Sequence, residues 1–142
     1  MGEAKSSCQV FPVGVVRRGG QRPVIEIFEP FRDALSGLDG FSHIYVLYWF
    51  HENDTPEKRR TLQVHPRKNS ANPLTGVFAT HSPNRPNLIA LTRCKIVSVS
   101  ADAVEVEEID ARDGSPVLDI KCFIPDRKPI QGVRVPHWVQ ND

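Results

Sequence analysis

The chain has 142 residues, 39% of them hydrophobic, and 18 Lys and Arg against 17 Asp and Glu leave a formal charge of +1. Such a length and apolar share suit one compact core and exclude an intrinsically disordered chain, while the near-zero total by itself predicts no polyanion partner. The longest uninterrupted apolar run, Ile44 to Phe50, is far short of the roughly 20 residues of a membrane-spanning helix, so a soluble protein is expected.

Cys8, Cys94 and Cys122 are widely spaced and form no Cys-x-x-Cys pair. That pattern predicts a reducing, cytoplasmic setting, with neither a disulfide framework nor a zinc knuckle. Met1-Gly2-Glu3-Ala4-Lys5-Ser6 matches a loose myristoylation pattern, but the plainer expectation is a frayed tail over residues 1–8 of a single domain spanning 1–142.

In chain order, Phe11 to Arg17 and Val24 to Phe28 are expected strands. Phe31 to Leu38 is the best short helix, with Phe31, Leu35 and Leu38 on one face, Pro30 in the first turn and Ser36-Gly37 at the end. Ser42 to Phe50, Thr61 to Val64 and Gly76 to Ala79 are further strands, with Trp49 and Phe50 placed mainly in the core. Asn87 to Thr92 suits a short helix or a turn. Lys95 to Ser100 and Ala103 to Ile109 alternate apolar and polar residues, the period of half-buried antiparallel strands, and Ser100-Ala101-Asp102 suits the hairpin between them. Val117 to Phe123 is the last strand. The 12 prolines, four of them from Pro66 to Pro86, exclude long helices there. Seven or eight short strands with one or two short helices predict a mainly β, single-domain antiparallel β-barrel.

The charge total hides a division. Between Lys58 and Lys95 there are eight Lys and Arg and no acidic residue, whereas Asp102 to Asp119 holds seven acidic residues against Arg112 alone. Opposite blocks can simply complement each other within the fold or between subunits; the basic one is also the kind of surface that attracts phosphate-bearing ligands.

Three segments carry candidate chemistry. In Gly76-Val77-Phe78-Ala79-Thr80-His81-Ser82-Pro83-Asn84-Arg85-Pro86-Asn87, two prolines stiffen an ordered loop and present Arg85 to grip a carboxylate or phosphate, or else to brace the loop against an acidic residue. In Asp110-Ala111-Arg112-Asp113-Gly114-Ser115-Pro116-Val117-Leu118-Asp119-Ile120-Lys121, carboxylates border a tight turn where they either accept from ribose hydroxyls and amines or make ordinary Asx turns. The strand from Ser42 to Phe50 runs into His51-Glu52-Asn53, a polar cluster where the chain emerges. No Gly-x-Gly-x-x-Gly, Walker loop, Gly-x-Ser-x-Gly or His-x-x-x-His pattern is present, which disfavours a Rossmann-type nucleotide enzyme and a zinc hydrolase.

Together with Gly40-Phe41-Ser42-His43-Ile44, these segments resemble the TsaA-like (TrmO) family of tRNA methyltransferases, whose signature runs G-V-F-A-T-R-S-P-x-R-P-N and D-G-T-P-V-L-D-I-K. The resemblance implies an S-adenosylmethionine-dependent β-barrel enzyme, a homodimer that binds the cofactor near the subunit interface, and methylation of N6 of threonylcarbamoyladenosine at tRNA position 37. It places cofactor contacts on His51, Glu52, His81, Leu91, Asp110, Ala111, Arg112 and Asp113. Arg85, Asn87 and Asp119 are implied as supports of the pocket or substrate, and Asp113 and Glu52 are candidates for the proton acceptor. His81 departs from the family arginine, exchanging a permanent guanidinium for an imidazole. Longer members also carry a Pro-Arg-Gln motif near the start, echoed only in scrambled form by Gly19-Gly20-Gln21-Arg22-Pro23, and a C-terminal domain for which this chain is expected to be too short. A small molecule or peptide as methyl acceptor, or a non-catalytic cofactor-binding module, are the alternatives. Methyl transfer from a sulfonium needs alignment and a proton acceptor but no metal.

Overall fold

The computed structural model describes residues 6–139, so the Gly2 pattern and residues 1–5 of the expected tail lie outside the described residues. Ser6, Ser7 and Cys8 are exposed and irregular. The chain forms two compact units: residues 1–49 with 91–123, and residues 50–90 with 124–142. Sorted this way the charge separates, with nine basic and 12 acidic residues in the first unit against nine basic and five acidic in the second.

The strands of the barrel are β1 (Gly14–Arg17), β2 (Val24–Ile27), β3 (His43–Trp49), β6 (Ile89–Val99), β7 (Ala103–Val106) and β8 (Pro116–Cys122). They close in the order β1-β2-β7-β6-β3-β8. β1 with β2, β1 with β8, β2 with β7, β3 with β8 and β6 with β7 all pair antiparallel. β3 shows the cause most plainly: Ile44, Val46 and Tyr48 are buried while the residues between them are half-exposed, the alternation that gives one strand face to a core. Val16, Ile25, Val104, Val106 and Val117 fill the same interior and are fully buried.

Two irregularities shape the barrel. Leu47 faces Asp119 but Tyr48 faces Val117, so the β3–β8 register shifts at Tyr48, and the β6–β7 register shifts between Ile96 and Ser98. The expected hairpin follows: Ser100 N–H donates to the Ala103 carbonyl at 2.9 Å, and Ser100 Oγ accepts from Ala103 N–H at 3.1 Å.

In the second unit, β4 (Gln63–Val64) and β5 (Thr75–Gly76) form a two-stranded sheet of their own. The α-helix among the described residues is α1 (Pro56–Arg60), capped by Thr55 Oγ1, which accepts from Lys58 N–H at 3.2 Å, with Pro56 in its first turn. No helix of the described residues is long and apolar enough to cross a membrane.

Several elements differ from expectation. Phe31 to Leu38 is not an α-helix: a 3-10 helix spans Glu29–Leu35 and the chain then turns at Gly37, whose φ is 86°. After Gly76 the chain winds into a 3-10 turn (Val77–Ala79) instead of continuing as a strand: Val77 N–H still meets Leu62 O in line with the β4–β5 ladder, but Thr80 N–H and its hydroxyl both fold back to Val77 O. Of the two forms expected for Asn87 to Thr92 the turn is the one present, and it is brief, β6 beginning at Ile89. Trp49 and Phe50 are half-buried, the core positions of that strand belonging to Ile44, Val46 and Tyr48.

Candidate functional site

In the barrel unit the acidic segment between β7 and β8 is fixed by two side chains from distant strands. Tyr48, 3% exposed, donates its phenol proton to the Asp110 carbonyl and lies 3.0 Å from Thr92 Oγ1 on β6. Burial is the main cause that raises the Tyr48 pKa, so this donor keeps its proton. Arg18, just past β1, sends Nε to the Ala111 carbonyl at 2.6 Å and Nη2 to the Ile109 carbonyl, and its backbone N–H donates to Asp113 Oδ1 at 2.6 Å. The planar guanidinium fork suits two neighbouring carbonyls at once.

Glu108 completes the clamp, accepting from Ile109 N–H at 3.0 Å and from Arg18 Nη2 at 3.1 Å. Those donors, the backbone N–H first, hold its carboxyl below the usual range. Beyond Asp113, Gly114 takes φ 81° while its N–H donates to Val16 O at 2.8 Å, a conformation that favours glycine. Ser115, buried, closes the turn by donating Oγ–H to Arg112 O at 2.7 Å.

Tyr48 therefore gathers β6 at Thr92 and the turn at Asp110 onto one phenol. This brings exposed Leu91 and the turn Asp110-Ala111-Arg112-Asp113 to the same end of the unit. Leu91 is an exposed apolar residue, Asp110 and Asp113 carry exposed carboxylates, and the main chain of the turn is held from two sides by Arg18 and Tyr48.

Asp119 lies elsewhere on β8. Its Oδ1 accepts from Ile120 N–H at 2.9 Å and its Oδ2 pairs with Lys121 Nζ at 3.3 Å. It borders a cavity of about 170 Å³ lined also by Val13, Ile27, Phe31, Leu35 and Leu38.

In the second unit, the loop from Thr80 to Asn87 is stiffened by a relay of hydroxyls. Buried Thr80 Oγ1 donates to Val77 O at 2.9 Å and accepts from Ser82 N–H at 3.1 Å; Ser82 Oγ then accepts from Asn84 N–H at 3.1 Å. Arg85 Nη1 donates to Thr80 O at 3.2 Å and to Ser82 O at 3.0 Å, so it braces its own loop through carbonyls and not through an acidic partner. Asn53 Nδ2 donates to Asn84 Oδ1 at 2.8 Å, Phe50 N–H to Leu88 O at 2.9 Å, and Arg59 Nε to Pro86 O at 3.0 Å. The 3-10 turn His51–Asn53 is thereby tied to the loop that carries His81, Arg85 and Asn87. His51, Glu52 and His81 are exposed on these tied segments.

Sequence reasoning missed Arg18 and the roles of Tyr48 and Thr80. The signal for Arg18 was slight, a charged pair ending an apolar strand, since its partners stand more than 90 residues away.

Residues 9–127 match the model of the tRNA-methyltransferase O N-terminal domain. The chain belongs to this family. It is 46% identical over 112 residues to a Methanocaldococcus jannaschii protein named a probable S-adenosyl-L-methionine-binding protein, covering 79% of this chain and 89% of that one. It is 42% identical over 110 residues to the human tRNA (adenine(37)-N6)-methyltransferase, covering 78% of this chain and 24% of the human one. The crystal structure of TrmO from Pseudomonas aeruginosa superposes with a TM-score of 0.68 at 27% identity, covering 91% of this chain and 62% of that one. The family match thus extends across both units, while the chain spans only part of the solved TrmO chain and about a quarter of the human enzyme.

Proposed function

We propose that this TrmO-family domain binds S-adenosylmethionine and transfers its methyl group to N6 of threonylcarbamoyladenosine at tRNA position 37, working as a cytoplasmic homodimer. The observation that carries the reading is the Asp110–Asp113 turn, a rigid polar edge whose main chain is clamped by Arg18 and Tyr48. The relatives named as S-adenosylmethionine-binding proteins and tRNA methyltransferases support it. When bound, the cofactor supplies an electrophilic methyl on a sulfonium.

The residues of the chain then have separate tasks. Arg18 and Tyr48 hold the turn so that its amides and carboxylates meet the cofactor without reorganising. By the family resemblance, the residues that would contact it are Asp110, Ala111, Arg112, Asp113 and Leu91, with His51, Glu52 and His81. Arg85 and Asn87 keep the second-unit loop in shape for the substrate, and Asp119 supports the substrate from β8. The cofactor would supply the methyl group to N6, and the proton released from N6 would pass to a carboxylate of this chain, for which Asp113 and Glu52 are the candidates.

A second reading, a cofactor-binding module without transfer to tRNA, is favoured by one fact: the Methanocaldococcus relative that this chain covers to 89% is named only for S-adenosylmethionine binding. One experiment separates the two. Isotopically labelled S-adenosylmethionine is incubated with the protein and tRNA, and the nucleosides are resolved by mass spectrometry. Labelled N6-methylated nucleoside supports transfer; calorimetric binding of the cofactor without product supports the module; no binding of the cofactor sinks both.

A further inference from the structure

The β4–β5 hairpin of the second unit is a small sheet outside the barrel, and it exposes what a core would hide. At one end Leu62 O accepts from Val77 N–H at 2.9 Å; Leu62 is 60% exposed and the next residue, Phe78, 84% exposed. An aromatic ring left that open on the 3-10 turn that follows β5 adds little to the fold it belongs to.

At the other end the strands are joined through His65–Pro66–Arg67–Lys68, where Arg67 (φ 59°) and Lys68 (φ 55°) both take left-handed backbone. Surface turns ordinarily give that region to Gly or Asn. Here it is fixed by local hydrogen bonds: Asn72 Nδ2 to Pro66 O at 2.8 Å and His65 Nδ1 to Asn72 O at 2.8 Å. Arg67 lies 5.9 Å from the Trp138 ring centroid and donates to Val139 O at 3.3 Å, while Lys68 is exposed. The turn thus spends one cation on the chain and presents the next to solvent in a fixed conformation.

We propose that this hairpin is an RNA-contact surface, Phe78 stacking on an unpaired base and Lys68 meeting a backbone phosphate. This rests on the tRNA reading above. Charge selects the occupant: Lys58 to Lys95 contains no acidic residue, and the second unit has nine basic against five acidic residues. A symmetric contact with a second copy through the same face would bring like charges together, whereas single-stranded RNA offers both a π-face and phosphates.

The test is fluorescence anisotropy with a labelled tRNA anticodon stem-loop, over a series of salt concentrations, on the full chain. Phe78→Ala is expected to weaken binding about ten-fold and Phe78→Trp to retain it. Lys68→Ala is expected to lower the slope of log affinity against log salt by about 0.7. All three variants should bind S-adenosylmethionine as wild type by calorimetry and melt at the wild-type temperature. Wild-type RNA affinity in Phe78→Ala overturns the proposal, as does a Phe78→Ala variant that loses a dimer in sedimentation but keeps RNA affinity. If wild type methylates tRNA while these variants match it, only the hairpin assignment falls. If wild type neither binds nor methylates tRNA, the functional reading falls with it.

Discussion

The phenol of Tyr48, buried on β3, donates a hydrogen bond to the main-chain carbonyl of Asp110, 62 residues along the chain in the turn before β8. A neutral donor is needed there, and burial preserves it by raising the pKa. Tyr48→Phe keeps the ring and removes the donor, leaving the Asp110 carbonyl without this partner. The expected loss is about 1–2 kcal/mol in urea unfolding. If the turn holds the cofactor, S-adenosylmethionine affinity falls further than stability does, which calorimetry on the folded variant reads directly.

Arg18 tests the same turn from the other side. Arg18→Ala leaves the Ile109 and Ala111 carbonyls without their guanidinium donors, at an expected cost of about 2–3 kcal/mol, somewhat less where water reaches the partly exposed head. Arg18→Lys should rescue only part of it, because an ammonium cannot span two carbonyls as the planar fork does. Equal stability of Arg18→Ala and wild type would remove Arg18 from the clamp.

His81 stands on a loop already held by Thr80, Ser82 and Arg85, so its replacement need not reshape the backbone. On the proposed function, His81→Arg supplies a permanent cation and a forked donor toward the cofactor carboxylate. S-adenosylmethionine should bind about five-fold more tightly at pH 7, roughly the worth of one added hydrogen bond. Unchanged affinity by calorimetry would place His81 away from the cofactor.

Much of this fold is legible in the residues. The alternation in Ile44, Val46 and Tyr48, and in Val104 and Val106, specifies strands because one face must be buried, and Ser100-Ala101-Asp102 specifies its hairpin through local side-chain bonds. Gly76 to Ala79 misleads for an equally physical reason: its apolar composition suits a strand, but Thr80 returns both its N–H and its hydroxyl to Val77 O and closes a 3-10 turn. α1 is short, and its cap, Thr55 before Pro56-Glu57, is a weak signal without an apolar stripe behind it. The motif segments locate the turn at Asp110–Asp113 and the loop at His81–Asn87, yet the residues that fix them are invisible to local patterns. Arg18 and Tyr48 act across the barrel, and only the closure of β1 onto β8 and β3 onto β8 makes them neighbours of the turn.

Cys94 is 1% exposed on β6, and burial, with a smaller contribution from Glu108, pushes its thiol from 9.0 up to about 11. A raised folded pKa means that the folded state holds the proton longer. Its contribution to stability is therefore complete below about pH 9 and is lost as the pH rises toward about 11. Wild type should lose more unfolding free energy than Cys94→Ala between those limits, and equal slopes would contradict the burial. At pH 8, exposed Cys8 should react with a thiol reagent while Cys94 stays inert until denaturant is added.

Gly14 opens β1 opposite Ile27, and a Cβ there would lie 2.3 Å from the Glu26 carbonyl oxygen and 3.1 Å from Ile27 Cδ1. The nearer obstacle is backbone, which cannot rotate away as a side chain can. Gly14→Ala must therefore pry β1 from β2, the pair whose register runs from Gly14–Ile27 to Arg17–Val24 and leads directly to Arg18. The expected cost is about 1–3 kcal/mol by urea unfolding. Because Arg18 follows β1, the displacement should also loosen the Asp110–Asp113 turn, so that amide exchange rises in residues 109–113 as well as in β1 and β2. Stability loss with unchanged exchange in that turn would show that β1 can shift without carrying Arg18 with it.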